Sequence, residues 1–354
     1  YQGLMVSDFT GGTDNTSPSS GALAYINRLV VGDFNNDGRD DILYQSSDNL
    51  WRFAASNANG TFTIYAQSAS PFAGLTLADN ASSGNLYYAA DFDGDGDVDL
   101  LYAGPSSATH TFYRNENGSF IALAQGLTGF TGGTNGQRLI VGDFNGDGAA
   151  DILFQVASNG SAWKYALNNG SGSFTEMDQN ASPFTGITVI ENNEFGYRVV
   201  DFDGDGDLDI YAGLNNATGK YYRNDGGTFS DQTASLTNLP TLPNSQKLLL
   251  ADFDGDGDAD MFFQNGADGT AWRYFRNDNG TFVEVALSSS PFANVAMINY
   301  TRQNYRLGDF DGDGDYDVFG ASATGVGSTY FMSGAPPKLV STTPADNSNN
   351  VSPT

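Results

Sequence analysis

The sequence contains no cysteine and a single histidine, His110, and none of its 354 residues fall in an unbroken apolar run of membrane-spanning length. Without cysteine there is no disulfide framework, no thiolate metal site and no thiol nucleophile. One histidine leaves almost no room for a Ser-His-Asp or Cys-His nucleophilic centre. The lack of a long apolar run excludes a transmembrane helix. No helical periodicity of useful length is present, and no glycine-rich phosphate loop precedes a helix. Basic residues are scarce as well: 15 stand against 42 acidic ones, for a formal net charge of −27. No basic patch exists to neutralise phosphates, which argues against nucleic acid as a partner.

The acids are not spread evenly. Six nonapeptides hold 27 of them, and outside these segments 15 acids face 14 bases, so the rest of the chain is essentially neutral. The nonapeptides are DFNNDGRDD (Asp33–Asp41), DFDGDGDVD (Asp91–Asp99), DFNGDGAAD (Asp143–Asp151), DFDGDGDLD (Asp201–Asp209), DFDGDGDAD (Asp252–Asp260) and DFDGDGDYD (Asp309–Asp317). Like carboxylates a few ångströms apart repel strongly, so such a segment is a disordered acidic run or a cage for a cation. Flanks such as Leu86-Tyr87-Tyr88-Ala89-Ala90 and Leu100-Leu101-Tyr102 have strand character and favour the cage. Alternating acids with glycine at position 6 match the first half of an oxygen-ligand calcium loop.

First-aspartate spacings of 58, 52, 58, 51 and 57 identify an array of supersecondary units of two alternating kinds. Units beginning at 33, 143 and 252 carry Trp51-Arg52-Phe53, Trp163-Lys164-Tyr165 and Trp272-Arg273-Tyr274. These are followed by Ser70-Pro71-Phe72, Ser182-Pro183-Phe184 and Ser290-Pro291-Phe292. Units beginning at 91, 201 and 309 lack both. Each unit reads as four short strands, in the first unit over residues 28–32, 41–45, 50–55 and 61–67, with the acidic segment joining the first two. The expected fold is therefore all-β: a six-bladed β-propeller of four-stranded blades, with a calcium loop between strands 1 and 2 of each blade.

The Asp-Phe-Asp-Gly-Asp-Gly-Asp motifs, each followed by an aliphatic-rich strand, resemble FG-GAP repeats of the VCBS type, related to the calcium-binding blades of the integrin α-chain propeller. The resemblance covers residues 1–337. It implies about six calcium ions, held by side chains at positions 1, 3, 5 and 9 and the carbonyl at position 7. In this sequence those positions are Asp33, Asn35, Asp37, Arg39 and Asp41, then Asp91, Asp93, Asp95, Asp97 and Asp99. The third and fourth sets are Asp143, Asn145, Asp147, Ala149 and Asp151, then Asp201, Asp203, Asp205, Asp207 and Asp209. The last two are Asp252, Asp254, Asp256, Asp258 and Asp260, then Asp309, Asp311, Asp313, Asp315 and Asp317. Asn35 and Asn145 remove one formal charge each, so their loops should bind more weakly. Position 12 is never acidic, unlike an EF-hand.

The last unit is incomplete. The segments Gln2-Gly3-Leu4 and Phe9-Thr10-Gly11-Gly12-Thr13 echo the end of an earlier unit, Gln125–Thr134, so the N-terminal segment is expected to close the last blade; residues around 338–341 are the alternative. Residues 338–354 read as a linker or the start of a bacterial immunoglobulin-like module. No leader precedes Tyr1 here, and the segment reads as mature or excised from a larger multidomain protein.

All the acidic loops fall on one propeller face, which is expected to be structural. The opposite face carries long loops, including 66–85, 178–196 and 288–304, where a ligand would bind. The three tryptophans are read as packing between blades in preference to a sugar platform. Glu191 and Glu194 share a loop and are read as solvated in preference to a catalytic pair. No convincing catalytic constellation is present. The expected function is thus a calcium-stabilised adhesion or recognition module, secreted or on a bacterial cell surface, that binds a glycan or protein on another surface. The alternatives are a polysaccharide lyase or hydrolase, or its accessory domain, and a spacer without a ligand.

Overall fold

The computed structural model describes residues 5–6, 29–45, 50–58, 60–78, 86–104, 110–123, 128–132, 139–156, 163–187, 197–214, 216–243, 248–265, 271–293, 305–320 and 328–331. The loop residues Glu191 and Glu194, the terminal stretch 332–354 and the parts 79–85, 188–196 and 294–304 of the long loops assigned to the ligand face lie outside the described residues.

The described regular structure is antiparallel sheet with four one-turn 3-10 segments. The first strand, β1 (Met5–Val6), lies far from its partner in sequence. Next come β2 (Leu29–Gly32), β3 (Asp41–Gln45), β4 (Trp51–Asn57) and β5 (Thr61–Ala66), hydrogen-bonded in chain order as one blade. The second blade holds β6 (Leu86–Ala90), β7 (Asp99–Ala103), β8 (Thr111–Asn115) and β9 (Phe120–Leu123), and the third β10 (Leu139–Gly142), β11 (Asp151–Gln155), β12 (Trp163–Asn168) and β13 (Phe174–Asp178). In the fourth are β14 (Tyr197–Val200), β15 (Asp209–Ala212), β16 (Lys220–Asn224) and β17 (Phe229–Asp231). The fifth comprises β18 (Leu248–Ala251), β19 (Asp260–Asn265), β20 (Ala271–Asp278) and β21 (Thr281–Val285).

The expectation of six like blades, each with a calcium loop, is corrected here. Five blades, not six, are made of four consecutive strands. The remaining strands, β22 (Tyr305–Gly308), β23 (Asp317–Gly320) and β24 (Ser328–Phe331), form a composite sheet whose fourth member is the two-residue β1, paired Met5 to Thr329 and Val6 to Ser328. Nor is a calcium loop shown in every blade: what the turns bring together is carboxylates, in groups of three, at four places.

The core lies between neighbouring sheets. The phenylalanine at position 2 of every nonapeptide (Phe34, Phe92, Phe144, Phe202, Phe253, Phe310) is no more than 1% exposed. Each packs into the interface with the next sheet: Phe34 meets Tyr87 and Leu100 in one cluster, and Phe310 closes the ring against Leu29 and Ile42. Burying a large aromatic there contributes about 2–3 kcal/mol, so the acidic segment is anchored at its second residue by the hydrophobic effect. Trp51, Trp163 and Trp272 are 5–8% exposed and meet Tyr87, Tyr197 and Tyr305 of the next inner strand edge-on. They are core residues and offer no sugar platform.

Candidate metal centre

Each nonapeptide turns between the first and second strands of its sheet with positive φ at positions 4 and 6. Gly94 and Gly96 have φ of 74° and 95°, and Asn36 replaces the first glycine at 59°. Such angles suit glycine, and asparagine tolerates them. The reversal aims the loop's amides inward at the first aspartate. Asp91 accepts from the N–H of Gly94 (2.7 Å) and Gly96 (2.8 Å), and Asp201, Asp252 and Asp309 accept from the corresponding glycines at 2.8–3.0 Å.

Position 9 opens the second strand and is fully buried in the described loops: Asp41, Asp99, Asp151, Asp209, Asp260 and Asp317 are 0% exposed. Its carboxylate is held from two sides. Asp99 accepts from Phe92 N–H at 2.9 Å and Asn115 N–H at 2.7 Å, and Asp209 accepts from Phe202 N–H, Asn224 N–H and the Tyr221 hydroxyl at 3.0, 2.6 and 3.0 Å. Burial pushes Asp41, Asp99 and Asp209 up to about 8, and Asp151 and Asp260 up to about 7, because ionisation there costs solvation.

Positions 1, 3 and 9 converge. Asp91, Asp93 and Asp99 bring carboxylate oxygens within 4.8 Å of one another, as do Asp201, Asp203 and Asp209; Asp252, Asp254 and Asp260; and Asp309, Asp311 and Asp317. Position 3 is asparagine in the turns at 33 and 143, where no such carboxylate group is found among the described residues. Position 5 does not join these groups. Its carboxylate accepts the N–H of position 7 within the turn, for example Asp97 to Asp95 at 2.9 Å and Asp207 to Asp205 at 3.0 Å. Side chains at position 7 face outward to the turn between the third and fourth strands, where Asp97, Asp207 and Asp258 accept from Asn117, Gly226 and Asn279 N–H at 2.7–2.8 Å.

The donor set fits a hard cation. It is all oxygen, and Asp93 Oδ1, Asp203 Oδ1, Asp254 Oδ1, Asn35 Oδ1 and Asp41 Oδ2 are buried acceptors with no hydrogen-bond partner among the described residues. Buried acceptors without a donor are costly in a folded protein unless something else satisfies them. Aspartates at position 1 also line an axial cavity of about 470 Å³ between the inner strands, together with Val31, Val141, Val199 and Leu307.

Other candidates resolve as packing. His110 Nδ1 accepts from Gly104 N–H at 3.0 Å, and its ring stacks on Phe130. Glu176 is held by Lys164 and Thr131, and Glu284 by Arg273. Two contributors to the site escaped sequence reasoning: the third-strand residue that fixes position 9 (Ser56, Asn115, Asn168, Asn224 or Asn277) and the arginine before it in three blades. The recurrence of Arg-Asn after an aromatic residue (Arg114-Asn115, Arg223-Asn224, Arg276-Asn277) was the available signal.

A family model described as FG-GAP-like repeat matches residues 33–102, 91–154, 201–263 and 252–320, well over half of the chain. The chain belongs to the FG-GAP-like repeat family. Cartilage acidic protein 1 of Xenopus tropicalis is 24% identical over 315 residues, covering 82% of this chain and 47% of that protein. This FG-GAP-like chain therefore spans about half the length of that relative. Among solved structures, the Photorhabdus luminescens Tc holotoxin pore is similar with a TM-score of 0.58 at 17% identity, over 90% of this chain and 14% of that one. An Agrocybe aegerita lectin, which recognises non-reducing terminal N-acetylglucosamine, has a TM-score of 0.51 at 18% identity, over 86% of this chain and 80% of its own. At these identities the likeness is one of fold.

Proposed function

We propose that this FG-GAP-like propeller is an extracellular recognition module whose acidic turns hold calcium, bracing one end while the other end presents loops to a glycan. The observation that carries the reading is the set of four three-carboxylate groups, converging within 4.8 Å. Three carboxylates with further oxygens suit calcium better than softer metals. A bound calcium would supply the positive charge that lets buried position-9 aspartates ionise. Residues at positions 1, 3 and 9 would hold it, with positions 5 and 7 shaping the turn; Asn35 and Asn145 would leave their turns weaker. Calcium is plentiful outside cells, and a chain without cysteine has no disulfides to brace it there. The glycan reading draws its support from the lectin of similar fold.

The test has two steps. Calcium chloride titrated calorimetrically into chelator-treated protein should show about four tight sites, as the carboxylate groups predict; no heat of binding would overturn the metal reading. A glycan array that includes N-acetylglucosamine-terminated structures, probed with and without calcium, should give calcium-dependent binding. A blank array in calcium would overturn the glycan reading and leave the brace.

A further inference from the structure

Three of the four carboxylate groups carry an arginine that the cation reading does not use. The arginine sits on the third strand, one residue before the asparagine whose N–H fixes position 9. Arg114 Nε lies 3.8 Å from Asp93 Oδ2 and Arg276 Nε 3.9 Å from Asp254 Oδ2. Arg223 comes closer, with Nε 2.9 Å from Asp203 Oδ2 and an Nη 2.8 Å from Asp205 Oδ2. Each also reaches a second acid two residues further on: Arg114 pairs with Glu116, Arg223 with Asp225 at 3.1 Å, and Arg276 with Asp278 at 2.8 Å. All three Nε atoms are buried without a well-aligned hydrogen bond. The guanidinium thus stands between two anions, and its other nitrogens already bond one of them: an Nη of Arg276 donates to Asp278 at 2.8 Å and an Nη of Arg223 to Asp205 at 2.8 Å.

Composition tracks the same division. Where position 3 is asparagine, the equivalent residues are Ala55 and Leu167, and two residues on stand Asn57 and Asn169, so arginine and acid are both missing. The turn at 309 has its aspartate at position 3 but Met332 and Gly334 at these places in the sequence.

We propose that Arg114, Arg223 and Arg276 compete with the cation for the position-3 carboxylate, and that cation binding leaves each arginine paired with Glu116, Asp225 or Asp278 alone. The proposal rests on the cation reading above and concerns how tightly the cation is held. A guanidinium a few ångströms from a divalent ion opposes it by Coulomb repulsion, whereas beside the carboxylates alone it relieves theirs. The pair Arg-x-Asp/Glu therefore lowers affinity and provides a fallback partner for the arginine, and the turn at 309, which has no such pair, is the tightest of the four.

The test is calorimetric titration of calcium chloride into chelator-treated wild type and into the combined variant R114M/R223M/R276M. In the variant three binding steps should tighten by about three- to tenfold, the range expected for partly exposed charges, while the tightest step stays unchanged. A second combined variant, E116Q/D225N/D278N, leaves the arginines and the turns intact. It should weaken the same three steps, because the arginine loses its alternative partner. The same steps unchanged in both variants would overturn the arginine proposal with the cation reading intact. Absence of calcium binding to the wild type would instead overturn the cation reading itself.

Discussion

Within a single turn the aspartates are not equivalent, and their positions rank them. Asp209 is fully buried and accepts from two backbone amides and a tyrosine hydroxyl, whereas Asp205 lies near the surface beside Arg223. Replacing Asp209 with alanine strands three buried donors, each costing about 1–3 kcal/mol when left unpaired. Asp205→Ala removes a partly exposed contact worth about 1 kcal/mol or less. Urea unfolding in calcium should therefore show D209A losing several times the stability lost by D205A; equal losses would mean that position 9 is not the keystone. The spacing of acids was legible in the sequence because carboxylates have no other reason to alternate with glycine. The division of labour among them was not, because whether a side chain meets the cage or an amide depends on the third strand, which lies 15–17 residues away in sequence.

Between blades, two different staples alternate, and they give the long and short spacings a physical cause. After β5 and β13 the chain makes one 3-10 turn and enters Ser-Pro-Phe. Ser182 Oγ donates to Gln179 carbonyl at 2.7 Å, Phe184 is buried, and Pro183 carbonyl accepts from Phe229 N–H in the next blade at 3.1 Å. Pro71 and Phe120 repeat this pairing. The other junctions use a threonine instead: Thr128 carbonyl accepts from Phe174 N–H at 2.7 Å, and Thr237 carbonyl from Phe282 N–H at 3.0 Å. Two kinds of unit were visible from Trp and Ser-Pro-Phe, and the four-stranded plan followed from the four short strand-like runs of each unit, the first two joined by the acidic segment. The echo of Gln125–Thr134 pointed the N-terminal segment to the last sheet, but its register was not legible, because pairing Met5–Val6 with Ser328–Phe331 joins strands more than 320 residues apart, where no local pattern signals a register. Phe184 stacks on Phe229 at 4.3 Å and meets Phe144 and Tyr165 edge-on. Phe184→Ala should cost about 3–5 kcal/mol and Ser182→Ala about 1 kcal/mol, both read from denaturation midpoints. A mild Phe184→Ala phenotype would show that the wedge is not what holds adjacent blades together.

Across the whole molecule, the buried carboxylates of one end act together and set how stability responds to pH. An aspartate in the unfolded chain releases its proton near pH 4, whereas burial raises Asp41, Asp99 and Asp209 to about 8 and Asp151 and Asp260 to about 7. A group whose folded pKa is raised favours the fold while both states are protonated. That contribution is lost progressively as pH rises from the unfolded value to the folded one, because over that interval the unfolded chain is ionised and the folded group is not. With calcium removed by a chelator, the melting temperature should therefore be highest near about pH 4 and fall by roughly ten degrees or more towards about pH 8. Calcium cancels that slope. The ion binds the ionised carboxylates and competes with protons for them, so its stabilisation by mass action is weak in acid and grows as the same groups ionise. Melting curves recorded in saturating calcium should thus stay nearly level over the interval in which the chelated curves fall, because neither the calcium-bound fold nor the unfolded chain holds those protons, and the two series should separate most at alkaline pH. Coincident curves at every pH would show that no cation contributes to the fold. A chelated series that rose with pH would show that the position-9 carboxylates ionise within the fold unaided, which their complete burial opposes.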